Sequence, residues 1–126
     1  MSRFPYFQRG AQYYPAIDIT LFVKKDELTI KALIDSGASF SVFRPEIAEH
    51  MGIAIEKGRP MYLEGIGGRI LGYLHRVRVE AGQKKFLCSI VFSREFTVSF
   101  NLLGRDNFFS HFRITFDEKK KEVILE

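Results

Sequence analysis

The strongest constraint on the fold of this chain is an alternating apolar pattern that ends on one aspartate. Ile17, Ile19, Leu21 and Val23 alternate with Asp18, Thr20, Phe22 and Lys24, the period of a strand with one buried face. Lys25-Asp26-Glu27 reads as a turn. Leu28, Ile30, Ala32 and Ile34 then alternate with Thr29, Lys31 and Leu33. The two runs predict a hairpin whose second strand passes into Leu33-Ile34-Asp35-Ser36-Gly37-Ala38. Asp, Ser and Gly each favour turns for local reasons, so the triplet alone says little. Its setting says more, because an apolar strand precedes it and the apolar pair Val42-Phe43 follows. That arrangement is the one expected to hold a carboxyl group at a buried, backbone-lined site. Gly37 allows close backbone approach, and the Ser36 hydroxyl can brace the loop.

The remaining segments are short and separated by turns. Residues 1–15 are aromatic and polar without a clear period, and we expect an extended N-terminal arm. Pro45 opens a short helical pattern with Ile47, Ala48 and Met51 on one face, and Gly52 is placed to end it. Two strand-like runs within residues 61–79 flank a glycine-rich tip. Residues 86–92 and 96–100 predict further strands, residues 105–111 a short helix, and residues 113–116 and 123–125 a closing hairpin. With no βαβ alternation, a parallel doubly wound sheet is excluded. The expectation is a single all-β domain over residues 1–126, a closed antiparallel barrel with one or two short helices.

Length and composition agree. A chain of 126 residues with 46 % apolar content can bury a core without disulfides. The net charge is +4 and the pI about 9.3, but the Lys and Arg residues are scattered. The one dense run, Lys119-Lys120-Lys121, lies between Asp117-Glu118 and Glu122 and reads as a hairpin tip. Nucleic acid is therefore not an expected partner. Cys88 is the only cysteine and sits in an apolar run, as a buried inert thiol would. No stretch has the length of a membrane span or the form of a signal peptide, so we expect a cytoplasmic protein without a membrane partner. The opening Met1 leads us to expect an independently translated product.

Two further segments carry possible chemistry. Gly65-Ile66-Gly67-Gly68-Arg69-Ile70 has the small side chains of a lid that offers backbone donors and acceptors to an extended ligand. It is not a phosphate loop, because neither Lys-Ser nor Lys-Thr follows it. In Asn101-Leu102-Leu103-Gly104-Arg105-Asp106 the first four residues lead into the predicted helix, and structural roles are expected for Arg105 and Asp106 at its start. His50, His75 and His111 lack metal-ligand spacing, no nucleophile elbow occurs, and neither a metal nor an organic cofactor is expected.

The order Leu-Ile-Asp-Ser-Gly-Ala, Gly-Ile-Gly-Gly-x-Ile, Leu-Leu-Gly-Arg-Asp resembles the retropepsins, the single-lobed aspartic proteases of retroviruses and their cellular relatives. The resemblance covers roughly residues 17 to 116. It implies a mainly β lobe that pairs with a second copy, each lobe supplying one catalytic aspartate, here Asp35. Ser36 would join its twin in a hydrogen-bonded brace, and Gly37 would contact the substrate main chain. Ala38 and Phe40 would border the substrate, and Gly65, Ile66, Gly67, Gly68 and Ile70 would form a flap over it. Many viral relatives carry an acidic residue just after this loop, paired with the arginine of the third segment. Here Ser39 and Phe40 stand there, so Arg105 needs another partner.

Peptide hydrolysis of this kind uses two carboxyl groups sharing one proton, one as base and one as acid. No second Asp-Ser-Gly or Asp-Thr-Gly occurs in the chain. The expected function is thus a homodimeric aspartic endopeptidase acting on protein or peptide substrates. The alternative expectation is a catalytically silent dimerisation or peptide-binding module of the same fold.

Overall fold

The computed structural model describes residues 1–65 and 68–126. Strands dominate: β1 (Ser2–Pro5), β2 (Phe7–Arg9), β3 (Gln12–Tyr14), β4 (Ala16–Val23), β5 (Asp26–Ile34), β6 (Ser41–Phe43), β7 (Arg59–Gly65), β8 (Gly68–Ala81), β9 (Lys84–Phe92), β10 (Asn101–Leu103), β11 (Ile114–Asp117) and β12 (Glu122–Leu125). One α-helix, α1 (Pro45–Met51), follows β6, and single 3-10 turns lie at Ile55–Lys57 and Phe109–His111.

The largest sheet closes on itself. Its order is β4-β5-β10-β6-β9-β8, and β8 returns to β4 through Thr20↔Glu80, Leu21↔Val79 and Phe22↔Arg78. This is the expected closed β architecture. Its antiparallel seams are interrupted at two places, because β10 runs parallel to β5 and β6 parallel to β9. β7 lies outside the ring and pairs with β8 alone. The alternation in β4 and β5 turns Ile17, Ile19, Leu21, Ala32 and Ile34 inward, where they meet Phe43, Val79, Ile90, Phe92 and Leu103. The inner ends of β5, β6 and β10 are thus anchored in one apolar core, and the loops that leave them start from fixed points.

Local chemistry accounts for the turns. Val23 pairs with Asp26, so the first turn is the two-residue Lys24-Lys25, with Lys24 at φ 55. The expected turn at residues 25–27 is one residue tighter, because Asp26 and Glu27 join the ladder. Gly52 at φ 72 ends α1, its N–H bonding back to the last turn.

Two further expectations are corrected, and the N-terminal one is made specific. Residues 1–15 are extended and packed on the domain: β1 adds to β12, and β2 and β3 form their own hairpin. That hairpin packs on Phe100 through Phe7 and Tyr14, with the Arg9 guanidinium 4.2 Å above the Phe100 ring. Residues 96–100 are not a strand. Phe100 spends its side chain on this aromatic contact, and the chain becomes a strand only at Asn101. Residues 105–111 are not one helix either, because Arg105 and Asp106 bond to the loop before β6. Helical geometry is confined to Phe109–His111. The closing hairpin is β11–β12, with the Lys run at its tip.

Candidate active site

Asp35 is the first residue beyond β5, on a loop held from both sides by backbone. Its N–H donates to Leu103 O at 3.0 Å, extending the parallel β5–β10 seam by one step. The Ala38 N–H donates to Asp35 O at 3.1 Å and closes the turn. Beyond it, the Arg105 N–H donates to Ala38 O (2.9 Å) and the Asp106 N–H to Ser39 O (2.8 Å). Phe40 and Asp106 complete the run as an isolated parallel bridge. Residues 35–40 are therefore zipped along residues 103–106.

The carboxyl group is fixed inside this frame. The Gly37 N–H donates to Asp35 Oδ1 at 2.9 Å, which fixes how the carboxyl group is turned. A Cβ on Gly37 would lie 3.3 Å from that oxygen, so the small residue keeps the contact open. The site is backbone-lined but not buried as expected: Asp35, Ala38 and Phe40 are half-buried, while Ser36 and Gly37 are exposed, because the loop lies beyond the end of β5. The carboxyl end of the loop thus faces outward from a rigid base. The Ser36 hydroxyl makes no hydrogen bond among the described residues.

Gly104 and Ser41 support this geometry, and the sequence reading assigned neither a role at the site. A Cβ on Gly104 would stand 2.9 Å from Ala38 O and closer still to the Phe40 carbonyl. The Gly104 N–H donates to Ser41 Oγ at 3.0 Å, and Ser41 is fully buried. One signal was available, a serine inside the apolar run Phe40-Ser41-Val42-Phe43, where a polar group needs a partner. Asn101, also buried, joins three segments: its side chain accepts from the Arg44 N–H (2.8 Å) and donates to Lys31 O (3.2 Å).

The other expected site residues lie elsewhere. Arg105 and Asp106 brace the loop through their backbones; the Arg105 side chain is exposed and has no ion pair among the described residues. Gly65 and Gly68 pair across the far end of the β7–β8 hairpin, Gly68 at φ 119, and Ile70 faces Leu63. Ile66 and Gly67 fall outside the described residues. Arg69 stacks on Tyr62 with its guanidinium 3.9 Å from the ring. Among the described residues no hydrogen bond joins this hairpin to the Asp35 loop. Cavities of about 520 Å³ beside β1 and about 150 Å³ beside Phe22 and Arg78 exclude Asp35 from their linings.

Cys88 is buried, and burial pushes its thiol up to about 12. His75 bonds to Ile55 O (2.9 Å), and His111 stacks on Phe86.

The family model for aspartyl proteases matches residues 21–106, a span that contains β5, the Asp35 loop, the β7–β8 hairpin and β10. The chain belongs to the aspartyl protease family. It is also similar to DNA damage-inducible protein 1 of Neurospora crassa, 29 % identical over 109 residues. That match takes in 84 % of this chain and 24 % of the other, so the chain spans about a quarter of the length of the curated relative. No described helix is long and apolar enough to cross a membrane.

Proposed function

We propose that the chain is a homodimeric aspartic endopeptidase in which two copies bring their Asp35 carboxyls together across a twofold axis. The observation that carries the reading is the Asp35 loop itself. It is braced along its length by residues 103–106, tied at one carboxylate oxygen by the Gly37 N–H, and exposed at Ser36 and Gly37. A loop so fixed and so open suits a second copy of itself, because symmetry supplies the missing carboxyl.

At close quarters the two carboxyls share one proton. The charged one takes a proton from a water molecule as that water attacks the peptide carbonyl. The protonated one then gives its proton to the leaving amide nitrogen. Each Gly37 N–H keeps its aspartate in place throughout, which is the positional accuracy such chemistry needs. The β7–β8 hairpin serves as the flap, meeting an extended peptide through backbone groups. Neither metal nor cofactor enters the step.

The test is cleavage of a broad library of extended peptides by wild type and Asp35→Asn across pH, with molecular mass measured alongside. Turnover that vanishes in Asp35→Asn while the dimer persists supports the proposal. Equal peptide binding without turnover in both proteins favours the silent binding module instead.

A further inference from the structure

The β8–β9 ladder reaches Tyr73↔Phe92 and stops, while β8 runs on beside β7 alone. In continued register Leu71 would face Arg94. Its outward N–H and C=O would then form an open strand edge, since alternate residues of an antiparallel strand turn both groups to the same side. Side chains fill the place of the missing strand. Ser93 Oγ donates to Leu71 O at 2.6 Å, and the Leu71 N–H donates to Glu95 Oε1 at 3.3 Å. The Glu95 N–H donates in turn to Ser93 Oγ at 3.1 Å. Ser93 is fully buried. Gly72 leaves no slack beside it, because a Cβ there would strike Val91 Cγ1 and lie 3.5 Å from Ser93 Cβ.

Arg94, freed from the ladder, turns the other way. Its Nε and NH1 reach Glu56 and Glu49 at 2.8 and 3.0 Å, so residues 93–95 grip β8 on one side and the helical segments on the other.

We propose that Ser93, Arg94 and Glu95 form a clasp that positions β8 where it leaves the barrel, and thereby sets how the β7–β8 hairpin meets a peptide substrate. The inference rests on the reading of that hairpin as the flap. Ser93 and Glu95 are positioning residues: they act through Leu71 and touch no reacting atom. The clasp holds the hairpin before substrate arrives, so its loss falls on binding and not on the chemical step.

Glu95→Ala removes the acceptor, whereas Glu95→Gln keeps an acceptor oxygen on a side chain of the same shape. Hydrogen exchange at the Leu71 amide reads the clasp in the free protein, and peptide kinetics read its consequence. Glu95→Ala is expected to speed Leu71 exchange and raise KM roughly tenfold with little change in kcat, with recovery of both in Glu95→Gln. Ser93→Ala should follow Glu95→Ala. Unchanged Leu71 exchange in Glu95→Ala overturns the clasp. Faster exchange with an unmoved KM overturns its role in substrate binding. If wild type cleaves no peptide, the proteolytic reading fails separately, and Leu71 exchange still decides whether the clasp exists.

Discussion

At the scale of single residues, the site depends on close approach as much as on the carboxylate. Gly104 has no room for a side chain against the carbonyls of Ala38 and Phe40. Gly104→Ala must therefore push residues 38–40 away from residues 104–106. Overpacking of this kind costs about 1–3 kcal/mol, and here the displaced residues continue the loop that begins at Asp35, whose carbonyl accepts from the Ala38 N–H. We expect a lower urea midpoint together with a loss of turnover larger than the stability change explains, checked by denaturation and peptide cleavage on the same samples. Asp35 was legible from its neighbours in sequence, since an apolar strand followed by Asp-Ser-Gly is a local pattern. The demand on Gly104 was not, because it arises from a parallel pairing between segments some seventy residues apart. Tyr6 gives a pH-dependent case. Burial, then the Glu118 carboxylate that accepts its O–H, push the phenol from 10.0 up to about 12. Below pH 10 folded and unfolded states both hold the proton. As pH rises to about 12 the unfolded chain releases it first, so stability falls over that window. The urea midpoint of wild type should drop more steeply between those pH values than that of Tyr6→Phe.

At the scale of elements, the strands with clear alternation were readable, and those shaped by distant partners were not. β4, β5, β8 and β9 each bury one face in a common core, so their period shows in the residues. β2 and β3 bury little and stand through aromatic contact with Phe100, which leaves no period to read. The same contact explains why residues 96–100, apolar enough to suggest a strand, are not one. It also predicts a local effect. Phe100→Ala removes both ring contacts and the surface under Arg9, each worth about 0.5–1.5 kcal/mol. Amide exchange should quicken within β2 and β3 while the barrel strands keep their protection. Phe43→Ala is the contrast: that ring is fully buried against Phe92, and the cavity should cost about 3–5 kcal/mol and weaken the whole ring of strands. If exchange in the two variants rises uniformly and equally, the hairpin is not the separable element described here.

At the scale of the whole molecule, the proposal turns on counting carboxyls. One chain offers a single braced Asp35, and the cavities beside β1 and beside Phe22 and Arg78 do not contain that residue. An active dimer needs both copies intact, which makes a mixing experiment decisive. When wild type and Asp35→Asn exchange subunits freely, the fraction of dimers with two aspartates is the square of the wild-type fraction. An equal mixture should then retain about a quarter of the activity of an all-wild-type sample, since a carboxyl opposite an amide has no partner with which to share its proton. Dilution should lower the rate per subunit once dimers dissociate. The pH profile of the wild type should be bell-shaped, because the paired state with one proton is lost when the pair gains a second and again when it loses its last. Activity proportional to the wild-type fraction itself would mean that each chain works alone, and the twofold site would have to be abandoned even if cleavage were real. In the proposed dimer the squared dependence and the bell follow from two like carboxyls too close to be charged together, and the fall on dilution from the association that brings them there.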